Sequence, residues 1–173
     1  DLPRATADAV LAALPSATGI DAEVARLRRV GDGEDVAAHR RAAAISDAMI
    51  ETVFGLATRP GVTPALLMAE AERTGRALGA DAASLWLAVG PEPPITCFEV
   101  FELPEAIRPG DRVQLGTNVS LAGHFGQELR MAVWGPPSPE LQAISERLLA
   151  IQDAALETLR VGEPVHTLGD TLE

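Results

Sequence analysis

Arg108-Pro109-Gly110-Asp111-Arg112-Val113-Gln114-Leu115-Gly116-Thr117-Asn118-Val119-Ser120-Leu121-Ala122-Gly123-His124-Phe125-Gly126-Gln127-Glu128-Leu129-Arg130-Met131-Ala132-Val133 is the stretch that decides the fold. Pro109-Gly110 marks a turn. Behind it Val113, Leu115, Thr117, Val119 and Leu121 alternate with Arg112, Gln114, Gly116, Asn118 and Ser120, the period of a strand with one face on a core. Ala122-Gly123 reads as a tight turn, and Phe125, Leu129, Met131 and Val133 as the returning strand, closed by Gly135-Pro136-Pro137. An antiparallel hairpin with one polar face is the expectation.

The flanks are helical. Asp32 is placed to cap a helix, with Asp35 at its positive end. Ala38, Ala42, Ile45, Met49, Val53 and Leu56 then recur at spacings of 4, 3, 4, 4 and 3, one apolar face of a long helix. Arg59-Pro60-Gly61 ends it. Thr63 with Pro64 behind it starts a second helix, whose inner face is Leu67, Ala71, Thr74 and Leu78 and whose stop is Gly79. Ser84–Val89 and Ile95–Phe101 read as strands. Ser138-Pro139 opens another long helix with Leu141, Ile144, Leu148, Ile151, Ala155 and Leu159 along its face. Toward the N-terminus, residues 5–14 read as a short helix broken by Pro15 and Gly19, and Ile20–Val24 as a short strand or the lead-in to another helix. Arg59-Pro60-Gly61-Val62-Thr63-Pro64 and Arg160-Val161-Gly162-Glu163-Pro164-Val165 both follow long helices, offset by 101 positions, which suggests an internal repeat and a pseudo-twofold α+β domain.

The 173 residues are 47% apolar, enough to bury a core. The net charge of -11 leaves no basic stripe, so the electrostatic footprint of nucleic-acid binding is missing, and an anionic membrane surface would repel the chain. Cys97 is alone, which excludes an internal disulfide and fits a cytoplasmic setting. No apolar run approaches the length of a membrane span. The opening Asp1-Leu2-Pro3-Arg4 is not a signal peptide, and the chain reads as a piece of something larger or as a processed product.

The order of Glu34-Asp35-Val36, Arg40-Arg41-Ala42-Ala43, Arg59-Pro60-Gly61-Val62-Thr63, Gly79-Ala80, Val89-Gly90-Pro91, Arg108-Pro109-Gly110-Asp111 and a hairpin ending at Gly135 resembles the creatinase, aminopeptidase P, prolidase and methionine aminopeptidase family. That resemblance implies an α+β pita-bread fold: a curved antiparallel sheet wrapped by helices, incomplete in this chain. It makes residues 25–173 the N-terminal portion of the catalytic-like domain. Residues 1–24 would then be the tail of the extra N-terminal domain of creatinase and aminopeptidase P, or a linker. It also implies a homodimer.

Most members of that family hold two divalent metals, using two aspartates on the hairpin, and carry a pocket histidine a few residues after the Gly-Pro turn. Matched without a gap, the first aspartate position is Gly116, the second is Gln127 eleven residues on, and the histidine position is Cys97, seven past Gly90. A glycine offers no ligand and an amide is a poor bridging one. The resemblance therefore implies a degenerate metal site, with no metal or cofactor expected. A slip of one residue would bring in Glu128, on the opposite face of the strand.

Cys97 and His124 are the candidate catalytic pair, a thiol that needs a base or a positive environment beside it. The other readings are a buried small apolar residue for Cys97 and a solvated loop tip for His124. Gln114, Asn118 and Gln127 on the hairpin's polar face, with Glu99 near Cys97, are candidate substrate-binding residues. Ordinary polarity of an exposed face is the other reading. His39 and His166 read as surface residues without metal-ligand spacing. The function expected is that of a metal-independent hydrolase or lyase acting on a small amino-acid-like molecule. The alternative is a catalytically inactive binding module. A second alternative is a metal-dependent aminopeptidase, should the hairpin register differ.

Overall fold

The computed structural model describes residues 3–28, 31–92 and 102–162, together with 164, 166 and 169. Two short helices come first, α1 (Arg4–Ala13) and α2 (Asp21–Arg28), neither with a buried residue. The segment at 20–24 is thus mainly helix, and α2 crosses the boundary drawn at residue 24.

Helix α3 (Gly33–Leu56) begins where the capping signals place it. The Asp32 carboxylate accepts from the Glu34 and Asp35 amides, and Asp35 returns the favour by accepting from the Asp32 N–H at 2.9 Å. Thr63 caps helix α4 (Pro64–Ala77) by accepting from the Leu66 amide. The α4 face is corrected at one end. Leu78 is 50% exposed, beyond the last helical residue, while Gly75 is buried. A Cβ on Gly75 would meet the Ala83 Cβ at 2.6 Å and the Met49 sulfur at 2.7 Å, so this glycine lets α4 lie close to both the sheet and α3.

Strands β1 (Ala82–Gly90), β2 (Arg112–Leu121) and β3 (His124–Val133) form one antiparallel sheet in that order. The hairpin turn is Ala122-Gly123, both with positive φ (50° and 80°), the hand that suits the strand twist. Helices α3 and α4 cover one face. Ala83, Leu85, Leu87 and Val89 of β1 and Val113, Leu115, Val119 and Leu121 of β2 pack there with Ala42, Ile45, Met49, Val53 and Leu67. The expected strand at 95–101 and the second half of the repeat, past Gly162, lie largely outside the described residues.

Helix α5 (Pro139–Thr158) is capped by Ser138 as read, but its apolar face is not a core face in this chain. Only Ala155 is buried, and Ile144, Leu148 and Leu159 stand exposed beside or beyond a groove that reaches Leu129 and Met131 of β3. An apolar stripe records that a helix has something to cover, not that the cover is in the same stretch of chain.

Candidate functional site

The hairpin ladder fixes which side chains share a face. Arg112 pairs with Val133, Gln114 with Met131, Gly116 with Leu129, Asn118 with Gln127 and Ser120 with Phe125. These residues, together with Ser84 and Trp86 of β1, point away from α3 and α4. The three candidate amides Gln114, Asn118 and Gln127 are thereby on one face, Gln114 half-buried and the other two exposed. Gly116 and Gln127, eleven residues apart, share this face. Gln127 is opposite Asn118, and Gly116 is its diagonal neighbour, because the turn has only two residues.

Gly116 is buried beneath Trp86, its direct partner in β1. A Cβ at 116 would stand 2.0 Å from the indole nitrogen and 2.2 Å from the carbon beside it. Sequence reasoning missed Trp86. Its signal was a large residue on a short apolar strand facing a glycine in an otherwise regular strand, and pairing the two requires the β1–β2 register.

Glu128 turns to the other face, opposite Thr117 and toward α3. Burial pushes its carboxyl up, the negative charge of Asp47 adds to this, and Arg130 opposes it. The Arg130 guanidinium is 2.9 Å from Glu128 Oε2, but out of line for a hydrogen bond. The hydroxyls of Thr117 and Ser46 are likewise buried without a hydrogen-bond partner among the described residues.

His124 also lies on the helix side, one position beyond the turn. Its Nε2 is 2.7 Å from Asp35 Oδ1 and its Nδ1 3.0 Å from the Ala122 carbonyl oxygen. Its ring meets His39 edge-on with centroids 4.8 Å apart, and His39 Nδ1 lies 3.3 Å from the Phe125 carbonyl oxygen. The hydrogen bond with Asp35 raises the His124 pKa, and the Asp32 amide followed by His124 lowers that of Asp35. His124 is therefore neither solvated at a loop tip nor gathered with the amides; it anchors the hairpin tip to the start of α3. Its proposed partner Cys97, like Glu99, lies outside the described residues.

The family model for metallopeptidase family M24 matches residues 37–173. The chain belongs to this family. Three solved M24 relatives illustrate the likeness. The prolidase from Pyrococcus horikoshii OT3 superposes with a TM-score of 0.84 at 18% identity, over 99% of this chain and 50% of that one. The Xaa-Pro dipeptidase from Bacillus anthracis gives 0.81 at 23%, over 99% and 48%. The X-Pro aminopeptidase from Thermotoga maritima MSB8 gives 0.77 at 22%, over 99% and 49%. At such identities the likeness shows the fold alone, the α+β pita-bread fold, and the M24 chain spans about half the length of these relatives. No curated protein matches the chain.

The family's metal pair can be tested against the donors present. On the outer sheet face the described side chains are amides, a serine pair, an indole, apolar groups and Arg112, with no carboxylate, imidazole or thiol among them. Among the described residues no group of three or more His, Cys, Asp or Glu is placed to hold a metal ion. Divalent metals of the hydrolytic type take anionic oxygen and imidazole ligands. The donor set of this half does not fit them, and Arg112 adds a positive charge to the same face.

Among the described residues no helix is long and apolar enough to cross a membrane.

Proposed function

We propose that this M24 protein is metal-independent and that its outer sheet face recognises a small, polar, amino-acid-like molecule. The single observation that carries the reading is the chemistry of the face: Gln114, Asn118 and Gln127 point the same way around Trp86, and no acid stands where the metal aspartates would. Each carboxamide offers both a donor and an acceptor, which suits an amide, a carboxylate or an amidine edge without fixing a net charge. Recognition is the function that these groups support best, since none of them exchanges a proton near neutral pH.

The second reading is a metal-free hydrolase or lyase that breaks a C–N bond in such a molecule. Membership in a peptidase family favours it. In that case Cys97 is the candidate nucleophile; His124, its candidate base, is paired with Asp35 on the helix side of the sheet. A homodimer and a cytoplasmic setting are proposed with either reading.

The test uses the full-length protein. Metal content is measured after incubation with manganese, cobalt and zinc, and thermal shifts are recorded with amino-acid amides, guanidino acids and cyclic amidines. Metal below about 0.1 per chain, in line with the missing hard ligands, with a saturable shift that Asn118→Ala or Gln114→Ala removes, is the expected result. One or two metals held per chain would overturn the reading. Turnover of a shifting compound, lost in Cys97→Ala, would select the enzymatic version.

A further inference from the structure

Lacking two carboxylates is one way to lack a metal site; filling its volume is another, and the three-stranded sheet holds both. Gly116 does not have a left-handed φ, so backbone freedom is not what requires glycine there. Volume is. A Cβ on Gly116 would lie 2.0, 2.2 and 2.6 Å from Nε1, Cε2 and Cζ2 of Trp86, far inside van der Waals contact. The two residues are directly paired, Trp86 to Gly116. The indole therefore takes the space in which any side chain at 116 would begin. An aspartate there would need room for three further heavy atoms beyond that Cβ. Gln127 is the diagonal neighbour of Gly116 on the same face, so the space between the two family ligand positions borders the indole. Trp86 is half-buried and outside the cluster of core residues packed under α3 and α4, which leaves it free to serve the outer face.

We infer that Trp86 is the residue that decides metal exclusion on this face, so that acids restored at 116 and 127 do not bind a metal until the indole is removed. The inference deepens the metal-independent reading above and rests on it. Two carboxylates need about the spacing of a shared ion to act together, and the Trp86 ring keeps the first of them from reaching it. Glycine at 116 and tryptophan at 86 then act as one pair, in which changing either partner alone does not open the face to a metal.

The test compares four forms of the chain: wild type, Gly116→Asp/Gln127→Asp, Trp86→Ala, and Trp86→Ala/Gly116→Asp/Gln127→Asp. Manganese(II) is titrated into each and followed by water-proton relaxation, which reads weak binding. The triple variant is expected to bind at least about tenfold more tightly than both the acid pair and Trp86→Ala, the scale of one added charged ligand contact. An acid pair that binds as well as the triple variant, or a triple variant no tighter than Trp86→Ala, overturns the inference. Tight manganese in wild type would instead overturn the metal-independent reading. A melting-temperature cycle covers the case in which the acid variants do not fold. Gly116→Ala is expected to lower the midpoint by several degrees beside Trp86 and by less than a third of that in a Trp86→Gly background, since overpacking is costly only while the clash exists. Equal losses in both backgrounds would also overturn it.

Discussion

Replacing Gly126 by alanine adds one methyl group where β3 lies directly against the backbone of α3. The new Cβ would lie 2.5 Å from the Ala42 carbonyl oxygen, 2.6 Å from its carbon and 2.8 Å from the Ala43 nitrogen. All three are backbone atoms of a helix, so no rotamer change relieves the contact. Ordinary contact starts near 3.4 Å, so α3 and β3 must separate by roughly 1 Å at this point. Overpacking of this kind costs about 1–3 kcal/mol. The lower entropy of the unfolded alanine chain returns about 0.4–1 kcal/mol. The net loss is about 1–2 kcal/mol, which for a chain of this size lowers Tm by roughly 2–8 °C. Gly55→Ala is the matched control. It is the same chemical change inside α3, but nothing lies within 4 Å of the added methyl. There the helix gains about 0.5–1 kcal/mol, and Tm rises by about 1–4 °C. Both are read by far-UV circular dichroism melts of the full chain. A Gly126→Ala protein that melts within a degree of wild type would refute the close approach of strand and helix, and a Gly55→Ala protein that melts lower would refute the open surroundings assigned to that turn.

Three further outcomes follow from the polar contacts. His124 binds its proton more readily folded than unfolded, so its contribution is full below the ordinary value of 6.5 and lost as pH rises through the raised folded value. Asp35 is held below its ordinary 3.8, so its contribution is present above that value and lost as pH falls through the lowered one. The Tm gap between wild type and His124→Asn should accordingly be wider at about pH 5 than at about pH 8.5, and equal gaps would contradict the Asp35 pairing. Glu128 is pushed the other way, so the folded state favours the neutral acid and loses stability as pH rises from 4.5 through the raised folded value. Glu128→Gln should thus raise Tm at about pH 8 and leave it unchanged at about pH 4; a loss at pH 8 would mean that the Arg130 pair outweighs burial. Asp32→Ala removes the acceptor of the capping box and should cost about 0.5–2 kcal/mol, seen as lost helical signal at low temperature and an earlier melt; an unchanged melt would place the start of α3 elsewhere.

Local chemistry was the legible part of this fold. Asp32 with Asp35, Thr63 with Pro64 and Ser138 with Pro139 start three helices because the groups that satisfy the first amides are within a few residues of them. The alternation from Val113 to Leu121 fixed the buried face of β2 for the same reason. What depends on distant chain was less legible. The α5 stripe reads as core in the sequence, yet Ile144, Leu148 and Leu159 stand exposed, because periodicity says nothing about where the cover comes from. His124 looked free, since its partner Asp35 is 89 residues away. On the site face the amides were found, because period two carries them, whereas Trp86 was missed, because its meaning lies in the glycine that it covers.

One carboxylate ties two distant pieces of the chain together. Asp35 accepts the Asp32 amide through Oδ2 and holds His124 through Oδ1. Fraying of the first turn of α3 therefore removes one of the contacts that hold the hairpin tip, beside the Asp81 carboxylate that accepts from the Ala122 amide. The two ends are thereby coupled, so that opening of one makes opening of the other easier. Amide hydrogen exchange at Glu34 and Asp35 should speed up together with exchange at the β2–β3 tip when either Asp35 or His124 is replaced. A ligand that presses on that tip would in this way be felt at the start of the longest helix, on the other side of the sheet from where it binds.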